Sequence, residues 1–319
     1  MEKILVTGGS GFIGSYLVRR LITEGYSVRI FDNGFRGNLH RLLDLAGDFE
    51  LQTGDIRNPE AVDQACQGVD TIFHLACING TKYFYEIPET VLEVAVRGTL
   101  NTLESAGRHH VARYFLASSS EVYQEPAVIP TPETERATIP DVKNPRYSYA
   151  GGKLIGELLT LHYGGKLGLE TVIFRPHNIY GPNMGREHVI PEFILRISEL
   201  SKSSRDGLID LPLQGSGLET RAFCYIDDMI DGLMTLFHSE SGEEIFHIGN
   251  DREEIAIIDL AEKIAASMRI RLNITHTPLR SGGTPRRCPD IQRLRSLGYE
   301  PKVPLDEGLA KTIEWYITQ

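Results

Sequence analysis

Cysteine is scarce and unpaired: Cys66, Cys77, Cys224 and Cys288 are the only four in 319 residues, and no two stand as Cys-x-x-Cys. That spacing disfavours a zinc site, no metal is expected, and the thiols read as reduced, buried and without a catalytic role. No apolar run approaches the roughly 20 residues a membrane helix requires, and Met1 leads almost directly into the first apolar segment. Neither a spanning helix nor a signal peptide is expected, which points to the cytoplasm. Basic charge is also in short supply, with 33 Lys and Arg against 43 Asp and Glu and a formal charge of −10. That balance argues against nucleic acid or an anionic membrane as partner and leaves small anionic ligands open. There is no internal repeat and no low-complexity tract. The remainder, 41% hydrophobic and 24% charged, is ordinary for a globular chain able to bury a large core.

What the chain does have begins at Lys3. The run Lys3-Ile4-Leu5-Val6-Thr7-Gly8-Gly9-Ser10-Gly11-Phe12-Ile13-Gly14 is an apolar strand opening into Gly-x-x-Gly-x-x-Gly and then an amphipathic helix. Gly8 suits the tight turn, Gly11 lets backbone approach phosphates, and Gly14 lets helix pack on strand. The helix N-terminus supplies positive potential for a pyrophosphate. A second apolar strand, Val28-Arg29-Ile30-Phe31-Asp32, ends about 20 residues on in an acid placed to accept from both adenosine ribose hydroxyls. Asp32 would repel a 2′-phosphate, so NAD is favoured over NADP.

Further apolar runs around 50–52 and over 71–75, 113–117 and 171–174 alternate with helical periodicity over 12–24, 59–66, 88–107 and 149–163. Such alternation predicts an α/β fold, a Rossmann-type doubly wound parallel sheet. Beyond Arg175 the pattern loosens, and Pro176, Pro182, Pro191 and Pro212 with Gly181, Gly185, Gly215 and Gly217 punctuate short elements. Residues 1–175 are therefore expected to form the NAD-binding domain, rejoined by about 222–250, and 176–319 mainly a smaller substrate-binding lobe.

The chemistry signal lies at Ser118-Ser119-Ser120-Glu121 after the 113–117 strand and at Tyr149-Ala150-Gly151-Gly152-Lys153. Tyr149 and Lys153, four apart, share a helix face. An ammonium beside a phenol favours phenolate, which would make Tyr149 a base near neutral pH, with Ser119 hydrogen-bonded to the same substrate hydroxyl. A cofactor-binding sensor would need the glycine cradle but not this proton relay. A plain ketone reductase would release its cofactor at each turnover.

Taken together these residues resemble the extended short-chain dehydrogenase/reductase family, in its NAD-dependent nucleotide-sugar epimerase, dehydratase and decarboxylase branch. The resemblance runs through Gly54-Asp55-Ile56, His74-Leu75-Ala76, Arg175-Pro176-His177-Asn178-Ile179-Tyr180-Gly181-Pro182, Thr220-Arg221-Ala222-Phe223 and Arg287-Cys288-Pro289-Asp290. It implies a nucleotide-diphosphate sugar as substrate, oxidised at carbon 4 by bound NAD. It also implies a homodimer formed through the 88–107 and 149–163 helices. The cofactor set it implies is Gly8, Gly11, Phe12, Ile13, Gly14, Asp32, Asn33, Asp55, Ile56, Leu75, Ala76, Tyr149, Lys153 and Pro176. Asn178, Arg221 and Arg287 are expected at the substrate diphosphate, with Ser119, Ser120 and Tyr149 at the sugar.

Glu121 decides the expected second step. As a base at carbon 5 it would favour 4,6-dehydration, although the position that holds an aspartic acid in one dehydratase group is Ser120 here. Epimerisation and a UDP-glucuronate-type decarboxylation are the alternatives, the latter because the Thr220 and Arg287 motifs and Pro145-Arg146 are similar to that subfamily. The loop Asn79-Gly80-Thr81-Lys82-Tyr83-Phe84-Tyr85 lacks the proline-rich stretch associated with decarboxylases. Lys82, Tyr83 and Tyr85 are candidates to hydrogen-bond the sugar, and His177 and His188 are candidates to shuttle protons.

Overall fold

A computed structural model describes residues 1–204, 207–240, 245–278 and 284–318. Six strands, β1 (Lys3–Thr7), β2 (Ser27–Asp32), β3 (Phe49–Thr53), β4 (Thr71–His74), β5 (Arg113–Ala117) and β6 (Glu170–Pro176), build the main sheet with a seventh, Ile245–Ile248. All pair parallel, in the order Ile245–Ile248, β6, β5, β4, β1, β2, β3. Ile4, Leu5, Val6, Ile72, Phe73 and Phe115 are fully buried, the near-continuous apolar reading of strands covered on both faces. The chain order reverses between β1 and β4. A crevice therefore opens beyond their carboxyl ends, where Thr7 pairs with His74.

Helices α1 (Phe12–Thr23), α2 (Pro59–Cys66), α3 (Thr81–Glu86), α4 (Pro88–Arg108) and α5 (Ser148–Leu167) belong to this layer. α5 starts one residue earlier than the periodicity suggests and runs four further. Gly164 and Gly165 stay helical, and the stop is Gly168 at φ +72°, the left-handed conformation that closes many helices. Beneath the cleft the Arg175 guanidinium donates to both Glu157 carboxylate oxygens, at 2.8 and 2.6 Å, and to the Tyr123 hydroxyl. Ser118 also donates to Glu157. This buried pair pins β6 to α5 and to the turn that carries Ser119.

After β6 the strands outside the main sheet pair only in twos and threes. Thr220–Ala222 pairs with Glu254–Ala256 and with Arg286–Arg287, and Leu208–Gln214 pairs with Arg271–Thr277. The Arg221 and Arg287 motifs, remote in sequence, become neighbours through that register. Among the described residues no helix is long and apolar enough to cross a membrane.

Candidate active site

Residues from the carboxyl ends of β1, β2, β4, β5 and β6 line one cleft of about 690 Å³. At one end stands the glycine turn. Gly8 has φ +71°, and a Cβ there would lie 2.9 Å from the Ala76 backbone; a Cβ on Gly14 would lie 2.2 Å from the Gly8 carbonyl oxygen. Gly11 caps α1 without a side-chain hydrogen bond, leaving first-turn N–H groups for an anion. Asp32 accepts from Gly34 N at 2.8 Å and Ser10 N at 3.1 Å, which fixes its carboxylate at the rim. Asn33 donates to Asp55 at 3.2 Å, and Arg57 holds the Asp55 carboxyl down at about 2. Phe12, Ile13, Ile56, Leu75, Ala76 and Pro176 complete this wall. A cradle that one added methyl would fill, a helix N-terminus and a held acid beyond it together fit a dinucleotide.

At the other end Ser119 caps a short turn, its Oγ accepting from Glu121 N at 3.2 Å. Tyr149 sits in the first turn of α5, buried, its ring stacked on Phe84 at 5.0 Å between centroids. Ser119 and the Cys77 thiol are among the groups that act on its phenol. Cys77 was expected to be buried and inert; it is half-buried and lines the cleft against the tyrosine. Nothing in its surroundings in sequence marks it.

The ammonium of Lys153 stands over the Tyr149 ring while it is bonded elsewhere. Lys153 Nζ lies 5.7 Å from the ring centroid and donates to the Ala117 carbonyl at 2.6 Å. Burial instead pushes the phenol well above its ordinary value; Cys77 and Glu121 raise it further, and Ser119 works in the opposite direction. Burial thus favours the neutral phenol in the protein alone, and a positive charge brought into the cleft would work against it.

Glu121 and Arg287 face each other across the sheet-to-lobe junction, with Arg287 Nη1 donating to Glu121 Oε1 at 2.8 Å. Burial favours the neutral acid, but Arg287, then Arg146 and Arg221, outweigh it and hold the Glu121 carboxyl below its usual value. Arg287 was expected on a diphosphate; here its guanidinium is engaged by Glu121 and Thr284. Arg221 is not in the cleft lining: it donates to the Thr220 carbonyl at 2.7 Å, and burial with Arg287 nearby lowers its pKa to about 10. Asn178, at φ +46°, lines the cleft while Nδ2 donates to the Ala222 carbonyl at 2.9 Å. Ser120 lines it as well.

The loop after β4 behaves differently from expectation. Tyr83 bonds Arg36, Lys82 pairs with Glu86 at 3.8 Å, and Tyr85 is exposed; Asn79, Gly80, Thr81 and Phe84 line the cleft instead. The short α3 helix turns the named side chains away. Of the two histidines, His188 lines the cleft whereas His177 is sealed beneath it, both ring nitrogens without a partner.

Residues 4–249 match the NAD dependent epimerase/dehydratase family. UDP-glucuronic acid decarboxylase 1 of Danio rerio is 34% identical over 99% of this chain and 72% of its own length. UDP-glucuronic acid decarboxylase 6 of Arabidopsis thaliana is 36% identical over 96% of this chain and 86% of its own. Among solved structures, UDP-glucose 4-epimerase of Thermotoga maritima with UDP-glucose superposes with a TM-score of 0.88 at 26% identity, covering 99% of both chains. The dTDP-glucose 4,6-dehydratase of Streptomyces venezuelae with NAD bound gives 0.88 at 28% identity, covering 99% of this chain and 97% of that one. With the glycine cradle, the held Asp32 and the Ser119, Tyr149 and Lys153 cluster in one cleft, this chain belongs to the NAD-dependent epimerase/dehydratase family of enzymes.

Proposed function

We propose that this enzyme oxidises a UDP-linked hexuronic acid at carbon 4 and that the resulting β-keto acid loses carbon dioxide. The observation that carries the reading is Arg287 in the cleft at Glu121, backed by the positive charges of Arg146 and Arg221. A substrate carboxylate would take this guanidinium in place of Glu121 and Thr284, which hold Nη1 and Nη2 in the protein alone. Likeness to UDP-glucuronic acid decarboxylases along 96–99% of the chain supports the same choice.

In this reading Gly8, Gly11, Phe12, Ile13 and Gly14 hold the NAD pyrophosphate, and Asp32 the adenosine ribose. Asn33, Asp55, Ile56, Leu75, Ala76 and Pro176 wall the cofactor. NAD, when bound, would supply a hydride acceptor and a positive charge. Tyr149 then takes the proton of the carbon-4 hydroxyl, Ser119 hydrogen-bonds that oxygen, and Lys153, fixed by the Ala117 carbonyl, orients the nicotinamide ribose. Asn178 serves the diphosphate and Ser120 the sugar.

4,6-Dehydration is the second reading, because Glu121, kept ionised by Arg287, is suited to remove the carbon-5 proton. Decarboxylation is preferred since Ser120, where that chemistry wants an acid to protonate the departing hydroxyl, is not one. Incubation with UDP-, GDP-, CDP- and dTDP-linked hexoses and with UDP-glucuronic acid separates the two by product mass. Loss of carbon dioxide from the uronic acid is expected; loss of water from a hexose would replace this reading with the dehydratase one, and an isomer of unchanged mass with an epimerase.

The outward side of α5 supports a homodimer as the working form: Ile155 and Leu158 are 40% and 50% exposed there, with Tyr163 and Leu167 near them in exposure. Exposed apolar side chains on one helix suit contact with a second copy. Light scattering is expected to give twice the chain mass, and Leu158→Glu is expected to halve it. A monomer at micromolar wild-type protein would contradict the assignment.

A further inference from the structure

A second group of side chains at the cleft takes no part in the chemistry above. Arg36 stands on the loop leaving β2, four residues after Asp32. Its Nη1 and Nη2 donate to Glu187 Oε1 and Oε2, each at 3.2 Å, across 151 positions of sequence. Nη1 also donates to the Tyr83 hydroxyl at 3.2 Å, and the guanidinium carbon lies 4.9 Å from that ring's centroid. Phe35 packs beside the same ring, 5.6 Å between centroids.

The neighbouring residues press this loop onto the cofactor cradle. A Cβ on Gly37 would lie 1.9 Å from Ser10 Oγ, so the chain returns here against the glycine turn. Arg41 donates to the Ser10 carbonyl at 2.9 Å and, from Nε and Nη2, to the Asn183 carbonyl at 3.1 and 2.9 Å. Three segments remote in sequence, after β2, after β4 and over 183–188, are thus tied together at one rim. Gly11, Asp32, Arg36, Gly185 and Glu187 all line the cleft they border. The ion pair is partly shielded, its side chains 23% and 34% exposed, and Arg36 keeps the Glu187 carboxyl ionised below its ordinary value.

We propose that Arg36 and Glu187 form a clasp that retains NAD in the cleft through the reaction cycle. They are positioning residues for the cofactor: their partners are each other and Tyr83, and neither bonds the Ser119, Tyr149 or Lys153 groups. A two-toothed, partly shielded pair with an aromatic face beneath it resists opening more than an open-surface pair. An enzyme that lends a hydride within one active site gains from a cofactor that leaves slowly. The inference rests on NAD binding and is independent of which second step follows oxidation.

The test is the rate at which NAD leaves the purified holoenzyme when it is diluted into an excess of an NAD-consuming enzyme. Arg36→Glu and Glu187→Arg are each expected to speed release about fivefold to tenfold. The double swap is expected to return release to within about twofold of wild type, because it rebuilds the pair with its charges exchanged. The KM for nucleotide sugar and the denaturant midpoint are expected to hold, which a general loosening of the fold would not allow. Glu187→Gln keeps side-chain volume and carries the test should a charge reversal fail to fold; it too is expected to speed release. Release unchanged in the single variants, or a double swap that loses NAD as fast as either single, overturns the clasp.

Discussion

Tyr149→Phe is expected to lower kcat by about 10²- to 10⁴-fold, the usual worth of a positioned proton-transfer group, with NAD still bound. Only the phenolic oxygen is removed, and the ring keeps its stack on Phe84. Because burial holds the phenol well above its ordinary value in the protein alone, wild-type kcat/KM is expected to rise with pH until Tyr149 ionises in the loaded enzyme. Tyr149→Phe should lose that dependence with the activity. Near-normal turnover in Tyr149→Phe, with NAD content unchanged, would remove this residue from the chemistry.

Acid is expected to unfold this protein earlier than its carboxylates alone would dictate. His74 and His247 are buried and neutral, each lowered to about 3, His74 by burial and then Lys153, His247 by burial. His177 is lowered as well, by burial and then His247. A histidine whose folded pKa lies below its unfolded value contributes stability that is present above about 6.5 and is lost as pH falls toward 3, because the unfolded chain binds the proton more readily in that window. Each such group gives a slope of about 1.4 kcal/mol per pH unit, so His74 and His247 together give about 3 kcal/mol per unit.

Burial is what disfavours an imidazolium at both sites. His74 is held between the hydroxyls of Thr7 and Thr99, at 2.8 and 3.3 Å, and His247 between the Tyr123 hydroxyl and the Asp290 carbonyl, at 2.6 and 2.9 Å. Glu133, raised by burial, works in the opposite direction, and Asp55, down at about 2, adds to the loss only at the acid extreme. Urea midpoints between pH 7 and pH 4 measure the slope; midpoints that stay level from pH 7 to pH 5 would contradict it.

Sequence carried the parts of this account that local rules govern. The glycine turn, the acid closing β2 and the four-residue spacing of Tyr149 and Lys153 each depend on neighbours within one strand or one helical turn, and the parallel sheet follows from their alternation. Contacts that span the chain were not legible. The Glu121 to Arg287 pair joins residues 166 apart and Arg36 to Glu187 residues 151 apart, and neither position carries a local signal for its partner.

Spacing also placed Lys153 on the face of Tyr149 but not its ammonium, which goes to the Ala117 carbonyl because a buried cation takes the nearest fixed acceptor. Cys77 went unread for a related reason: one thiol after a strand is an ordinary core residue until α5 brings Tyr149 over it. Arg221 and Arg287 were read together from their motifs, but the charge they surround, Glu121, follows from the pairing of Thr220–Ala222 with Arg286–Arg287.

The central proposal is that carbon 4 lends its hydride to bound NAD while Tyr149 takes the hydroxyl proton, and that decarboxylation follows. It is tested most directly by single-turnover mixing of the holoenzyme with UDP-glucuronic acid, following nicotinamide absorbance and released carbon dioxide together. The account predicts that reduced nicotinamide appears before or with carbon dioxide, and that both are absent in Tyr149→Phe. Carbon dioxide released with no reduced nicotinamide at any time, or turnover undiminished in Tyr149→Phe, would contradict it.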